Sequence, residues 1–181
     1  MKHRDEGGME PVTGHEATGG GNRPMSEADK RALRSAFGQF ATGVTIITAR
    51  TAEGQDIGIT ANSFSSVSLE PPLLLWSLAL TSQSIDAFVA GFPFAITILS
   101  DEQEALARHF GRSGTDQFAL LPQPATIEHN HHGVPLIRGG IATFECVVEQ
   151  VVPAGDHNVL ISRIERFETH AGAPLLFFGG R

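Results

Sequence analysis

The sequence predicts a mainly β protein, a closed or nearly closed barrel of antiparallel strands with a few short flanking helices. Three observations carry that prediction. Six or seven runs of strand length, rich in Val, Ile, Leu, Thr and Phe, are bounded by Gly, Pro, Asp and Ser. These runs are not regularly interleaved with long helical segments, which disfavours a doubly wound parallel sheet. Neither a GxGxxG loop nor a GxxxxGK loop ending in Ser or Thr occurs, so the two usual nucleotide-cradling loops of such sheets are missing.

Taken in order, residues 1–25 are rich in Gly, Glu and other polar residues without a hydrophobic period, and are expected to be a disordered leader. Met25 is an alternative start to Met1. The globular domain is expected over 26–181. A helix opens at Ser26 as N-cap, with Glu27 and Asp29 in its first turn; Leu33, Ala36, Phe37 and Phe40 fall on one face, and Ala41-Thr42-Gly43 ends it. Val44–Ala49 is a β-branched strand, Ala52–Gln55 its hairpin turn and Ile57–Thr60 the returning strand. The stretch Thr60–Pro72 then packs five hydroxyl residues and the Asn62 amide between two strand-like segments and closes on Pro71-Pro72. Leu73–Leu78 is apolar on both faces and is expected to lie centrally. A short helix over Ser84–Ala90, a strand over Phe94–Leu99 and a capping box at Ser100–Gln103 leading a helix to Phe110 follow. Residues 111–135 read as loop. Strands resume at Ile141–Val152, Asn158–Phe167 and Leu175–Phe178.

A net charge of −7 without a compensating Lys/Arg cluster argues against nucleic acid and anionic membrane surfaces as partners. No apolar run approaches the roughly 20 residues of a bilayer span, and the start of the chain has no apolar signal core. The single cysteine, Cys146, sits in a strand-like run, which fits a buried structural thiol in a reducing cytoplasm.

Several groups are candidates for chemistry, and each has a plainer alternative. The hydroxyl cluster suits a phosphate and a polar ring edge, or else satisfies its own backbone. Ser82 and Ser84 precede a helix, where free N–H groups attract phosphate, or simply cap it. Arg108 and Arg112 flank Phe110, where they neutralise a phosphate or complement a helix C-terminus. Gly155-Asp156-His157 presents a histidine at a barrel rim with Asp156 fixing its tautomer, or is an exposed turn; local sequence favours the turn. His129, His131 and His132 beside Glu128 lack a fourth ligand at a recognisable spacing, so no metal is expected. No GxSxG elbow supports a nucleophilic serine.

In order along the chain, four segments resemble the short-chain flavin reductases, which supply reduced flavin to two-component monooxygenases. They are Phe37 with Ala41–Thr45; Gly58–Pro72; Leu106–Phe110 followed by Asp116-Gln117-Phe118; and Gly155-Asp156-His157. The resemblance runs from about Arg34 to Gly180. It implies an FMN-binding split barrel that forms a homodimer, and hydride transfer from NAD(P)H to FMN or FAD. It further implies that Thr60, Ala61, Asn62 and Ser63 line the isoalloxazine and ribityl side. Ser66, Val67 and Ser68, together with Ser82, then approach the phosphate, and Phe110 and Arg112 complete the flavin site. Asp156 and His157 meet the nicotinamide nucleotide, with His157 as the catalytic residue. Two departures stand out: Asn62 occupies a position where many relatives carry a small hydroxyl residue, and Gly179-Gly180-Arg181 lacks a following aromatic residue. The alternatives are a split-barrel oxidase or electron carrier with tightly held FMN, and a flavin-binding module without turnover.

Overall fold

Residues 25–112 and 117–180 are described by the computed structural model; the leader before Met25, Asp116 and Arg181 lie outside them. Two compact units result, one around the first helix and the chain end, the other spanning Ala41–Phe177. In the first, α1 (Glu27–Phe37) starts on a complete capping box between Ser26 and Asp29 and ends at Gly38. The expected helix end at residues 41–43 is four residues late: Gly38 caps α1 through its N–H, and Thr42–Gly43 instead forms a short strand, β1. Of the expected apolar face, Leu33 is half-buried and Phe37 is the last helical residue, while Phe40 falls beyond the helix end.

The second unit holds β1, β2 (Thr45–Arg50), β3 (Asp56–Ala61), β4 (Ser65–Leu69), β5 (Pro72–Ala79), β6 (Pro93–Ile98), α2 (Glu104–Phe110), β7 (Ile127–His129), β8 (Pro135–Ile137), β9 (Ala142–Ala154), β10 (His157–Thr169) and β11 (Leu176–Phe177). Seven of these form one sheet in the order β3-β2-β6-β9-β10-β5-β4, and every pairing is antiparallel. Its edge strands β3 and β4 are consecutive in sequence, joined only by Asn62-Ser63-Phe64. Four residue steps reach at most about 14 Å, whereas a flat seven-stranded sheet is about 29 Å wide. The sheet must therefore roll up until its two edges approach. No membrane-spanning helix occurs among the described residues.

Strand alternation sorts the core. Ile47 and Ala49 of β2 point inward with Leu74, Trp76, Leu78, Phe88, Phe94 and Ile96. Ile46 faces the other way and is roofed by Leu106, Phe110 and Ile137 from α2 and the β7–β8 hairpin. Strands β2 and β6 are buried on both faces; the Thr45 and Thr48 hydroxyls of β2 donate to the Ala61 and Pro135 carbonyls. The run expected to be buried centrally, Leu73–Leu78, lies in β5, an interior strand between β10 and β4, and Leu74, Trp76 and Leu78 are core residues; Leu73, Leu75 and Ser77 on its other face are only half-buried. Two further expectations shift. Part of the hydroxyl cluster is strand β4, and the loop expected over 111–135 contains β7, paired with β8 from Ile127 opposite Ile137 to His129 opposite Pro135.

Candidate functional site

An open cavity of about 770 Å³ lies where the two ends of the rolled sheet approach. One wall is β3 from Asp56 to Thr60, preceded by Thr51 and Gln55 of its hairpin. The opposite wall is the turn leaving β5, from Ala79 through Thr81, Ser82, Gln83 and Ser84. Phe110, Gly111 and Arg112 at the end of α2, with Gln117, close the third side. The size falls within the roughly 300–1,000 Å³ typical of small-molecule sites. Gly58 is required here: a Cβ at this position would overlap the Phe110 ring, so glycine lets that ring lie flat against β3. Phe118 packs on the same ring at 5.1 Å.

The hydroxyls divide into those already engaged and those left for a ligand. Thr60 Oγ1 donates to the Ala107 carbonyl at 2.7 Å, tying β3 to α2. Ser63 Oγ accepts from the Ser77 N–H at 2.9 Å and donates to the Ser77 carbonyl. Because Ser65 pairs with Leu75, Ser63 stands opposite Ser77 and its side chain continues the ladder that the backbone leaves. Ser65 donates to the Ser66 carbonyl and Ser68 to that of Pro71. The plainer reading, hydroxyls serving their own backbone, therefore accounts for these four. Ser82 Oγ accepts from the Ser84 N–H at 3.2 Å and keeps its own O–H for a ligand. The Arg112 side chain is exposed and makes no ion pair among the described residues, whereas Arg108 is bound to Glu104 at 2.5 Å.

Four of the expected site residues, Thr60, Ser82, Phe110 and Arg112, meet at this cavity. Ser66, Val67 and Ser68 do not: Ser66 pairs with Leu74, five residues before Ala79, a displacement of about 17 Å along β5. Val67 is the extra residue of a bulge in the β4 edge and is 45% exposed. Ala61 is half-buried and Asn62 exposed on the link between the sheet edges. The Gly155-Asp156-His157 turn comes close to the cavity wall. His157 pairs with Ala79, and the Leu80 N–H donates to the Asp156 carbonyl at 3.0 Å. Gly155, at φ +63°, makes the tight hairpin possible. His157 Nδ1 is hydrogen-bonded to Asp156 Oδ1 at 2.7 Å, which orients the ring and leaves Nε2 outward.

Asp56 was not anticipated. Its Oδ2 is bonded to His129 Nε2 at 2.8 Å, its buried Oδ1 has no hydrogen bond among the described residues, and Arg50 Nε lies 3.7 Å away. An acid opening a strand after a Gly turn gives no signal in sequence that sets it apart from an ordinary turn residue. Cys146 behaves as expected: it is 2% exposed, and burial together with the Glu165 and Glu145 carboxylates pushes its thiol far up, so it stays protonated and unreactive.

The protein is thus a mainly antiparallel β fold with an open, polar cavity of small-molecule size that carries the Ser82 hydroxyl and the Arg112 cation. Comparison with known proteins narrows this class. The chain belongs to the family described as flavin reductase like domain, which matches residues 37–181. It is 45% identical over 152 residues to the FMN reductase (NADH) SmoA of Agrobacterium fabrum, covering 84% of either chain. It is 44% identical over 160 residues to the reductase component of the flavin-dependent trigonelline monooxygenase of Acinetobacter baylyi, covering 86% of this chain and 50% of that one. The chain spans about half the length, 50% and 44%, of two curated relatives it matches. Among solved structures, the NADH:FAD oxidoreductase of Streptomyces globisporus, in complex with NAD and FAD fragments, superposes with a TM-score of 0.77. The two are 33% identical, and the match covers 88% of this chain and 94% of the other.

Proposed function

We propose that this chain is an NAD(P)H:flavin oxidoreductase that transfers hydride from a reduced nicotinamide to FMN or FAD and passes the reduced flavin to a monooxygenase component. The observation that carries the reading is the cavity, which draws Thr60, Ser82, Phe110 and Arg112 together from three separate segments of a chain that belongs to this family. The names of the relatives, an FMN reductase (NADH) and a monooxygenase reductase component, support the same activity and partner class. The flavin, when bound, supplies the hydride-accepting chemistry. The protein's part is to hold and align. The buried Phe110 ring shapes the cavity wall, Ser82 offers an O–H and Arg112 a cation to a phosphate, and His157, oriented by Asp156, stands beside the wall where a nicotinamide donor enters. The reading also includes a split barrel that works as a cytoplasmic homodimer, with residues 1–25 as a leader outside the domain.

Hydroxyl contacts and an exposed Arg112, in place of a buried Arg clamp, suit a flavin that is to be handed on. The test is steady-state oxidation of NADH and NADPH by purified protein with and without added FMN, FAD or riboflavin. Turnover that depends on added flavin is expected. Absence of nicotinamide oxidation with all three flavins refutes the reading.

A further inference from the structure

We propose that His131, His132 and Glu165 form a binding site for a divalent first-row transition metal of the zinc type. The site is separate from the flavin cavity and belongs to the other half of the histidine-rich patch. His129 takes no part, being committed to Asp56, and Glu128 is bound to Arg138 at 2.6 Å. The remaining three side chains bring two imidazoles and one carboxylate together, with a ligand atom of each within 4.8 Å of the others.

Three features of the fold build this arrangement. The turn that carries both histidines is fixed from within: Asn130 Oδ1 accepts from the His132 and Val134 N–H groups, each at 3.0 Å, and Gly133 sits at φ +74°. Asn130 Nδ2 in turn donates to Glu145 at 2.7 Å, anchoring the turn to β9. Second, Glu165 is the extra residue of a β-bulge, since Ile164 pairs with Cys146 and Arg166 with Glu145 while Glu165 has no partner across the ladder. Bulges re-aim a side chain, and this one turns the carboxylate to the histidine turn. Third, the spacing suits two ligands of one ion: His132 Nε2 and Glu165 Oε2, which meet in a long hydrogen bond, lie 3.4 Å apart. With metal–ligand bonds of about 2.0–2.2 Å, the edge of a tetrahedron is about 3.3 Å. The His131 ring lies 3.9 Å from that of His132, centroid to centroid.

The donor set selects the ion. Imidazole nitrogens favour zinc and its neighbours over magnesium or calcium, which take oxygen ligands. Arg163 holds the other carboxylate oxygen, Oε1, at 3.1 Å, orienting Glu165 as outer-shell partners orient metal ligands. Three protein ligands leave one position for water, and the bound ion ties the β7–β8 turn to β10.

The test is calorimetric titration of the full chain with Zn²⁺, paired with thermal unfolding in Zn²⁺, in Mg²⁺ and after EDTA. One equivalent of Zn²⁺ should bind and raise the melting temperature, EDTA should reverse the rise, and Mg²⁺ should not reproduce it. Affinity should fall by more than about tenfold in His131→Gln, in His132→Gln and in Glu165→Gln. Flavin-dependent NADH oxidation at the parent rate shows that each variant is folded, and His131→Gln, a change in an exposed turn, decides the matter if Glu165→Gln misfolds. No saturable Zn²⁺ binding, or equal affinity in parent and His131→Gln, overturns the proposal.

Discussion

Ser63 and Ser82 illustrate how differently two serines of one binding region are used. Ser63 spends both its donor and its acceptor on the Ser77 backbone, so its loss weakens the seam of the sheet. Ser82 faces the cavity with a free O–H. We expect Ser82→Ala to weaken FMN binding by roughly tenfold or more while riboflavin binding changes little, because a hydrogen bond to a charged phosphate is worth about 1.5–3 kcal/mol and riboflavin has none. Ser66→Ala, displaced along β5, should affect FMN less; fluorescence titrations of the two flavins against both variants check this. At His157 the prediction concerns the donor. His157→Ala should raise the KM for NAD(P)H or slow flavin reduction by on the order of ten- to a hundredfold at nearly unchanged flavin affinity. Asp156→Asn should act in the same direction but less, since Asp156 is 96% exposed at its side chain and holds the ring only through a solvent-facing bond. Lost flavin binding with normal nicotinamide kinetics would reverse the assignment.

At the scale of elements, the site depends on how closely α2 approaches β3. Gly58 admits the Phe110 ring, and Thr60 bonds to the Ala107 carbonyl one turn earlier. Gly58→Ala should therefore push Phe110 off the strand, costing about 1–3 kcal/mol of stability, and should reduce flavin affinity along with it. Urea unfolding and flavin titration measure the two effects, and an unchanged midpoint would show that the ring relaxes freely. The same elements show what sequence conveys. The N-cap at Ser26, the capping box at Ser100, the hairpin turn at residues 52–55 and the long strands of β9 and β10 are local features, written in adjacent residues, and all are found. The β7–β8 hairpin escaped notice because its strands are only three residues each and their pairing carries no alternation. The cavity was only partly legible. Thr60, Ser82, Phe110 and Arg112 belong to segments that stand out chemically, but their meeting depends on the rolling of the sheet, which no local pattern encodes. Asp56 joins them for the same long-range reason.

For the molecule as a whole, β4 is an edge strand with Leu69 95% exposed, and on β10 Phe167 is 67% exposed and continues a stack through Phe144 to Phe64. Open edges and apolar patches of this kind are ordinarily covered, and a second copy is the occupant consistent with the proposed homodimer. Analytical ultracentrifugation at micromolar concentration should show a dimer, and Leu69→Lys should shift it toward monomer; a monomeric parent that still binds flavin would contradict this. The central claim is that this fold reduces a flavin and lets it go. It is tested most directly by mixing the protein anaerobically with NADH and excess FMN and passing the mixture through an ultrafiltration membrane. Reduced FMN should appear in the filtrate in amounts equal to the NADH consumed and many times the protein present. Flavin that is reduced only once per subunit and stays above the membrane would contradict the account and mark a protein that keeps its flavin.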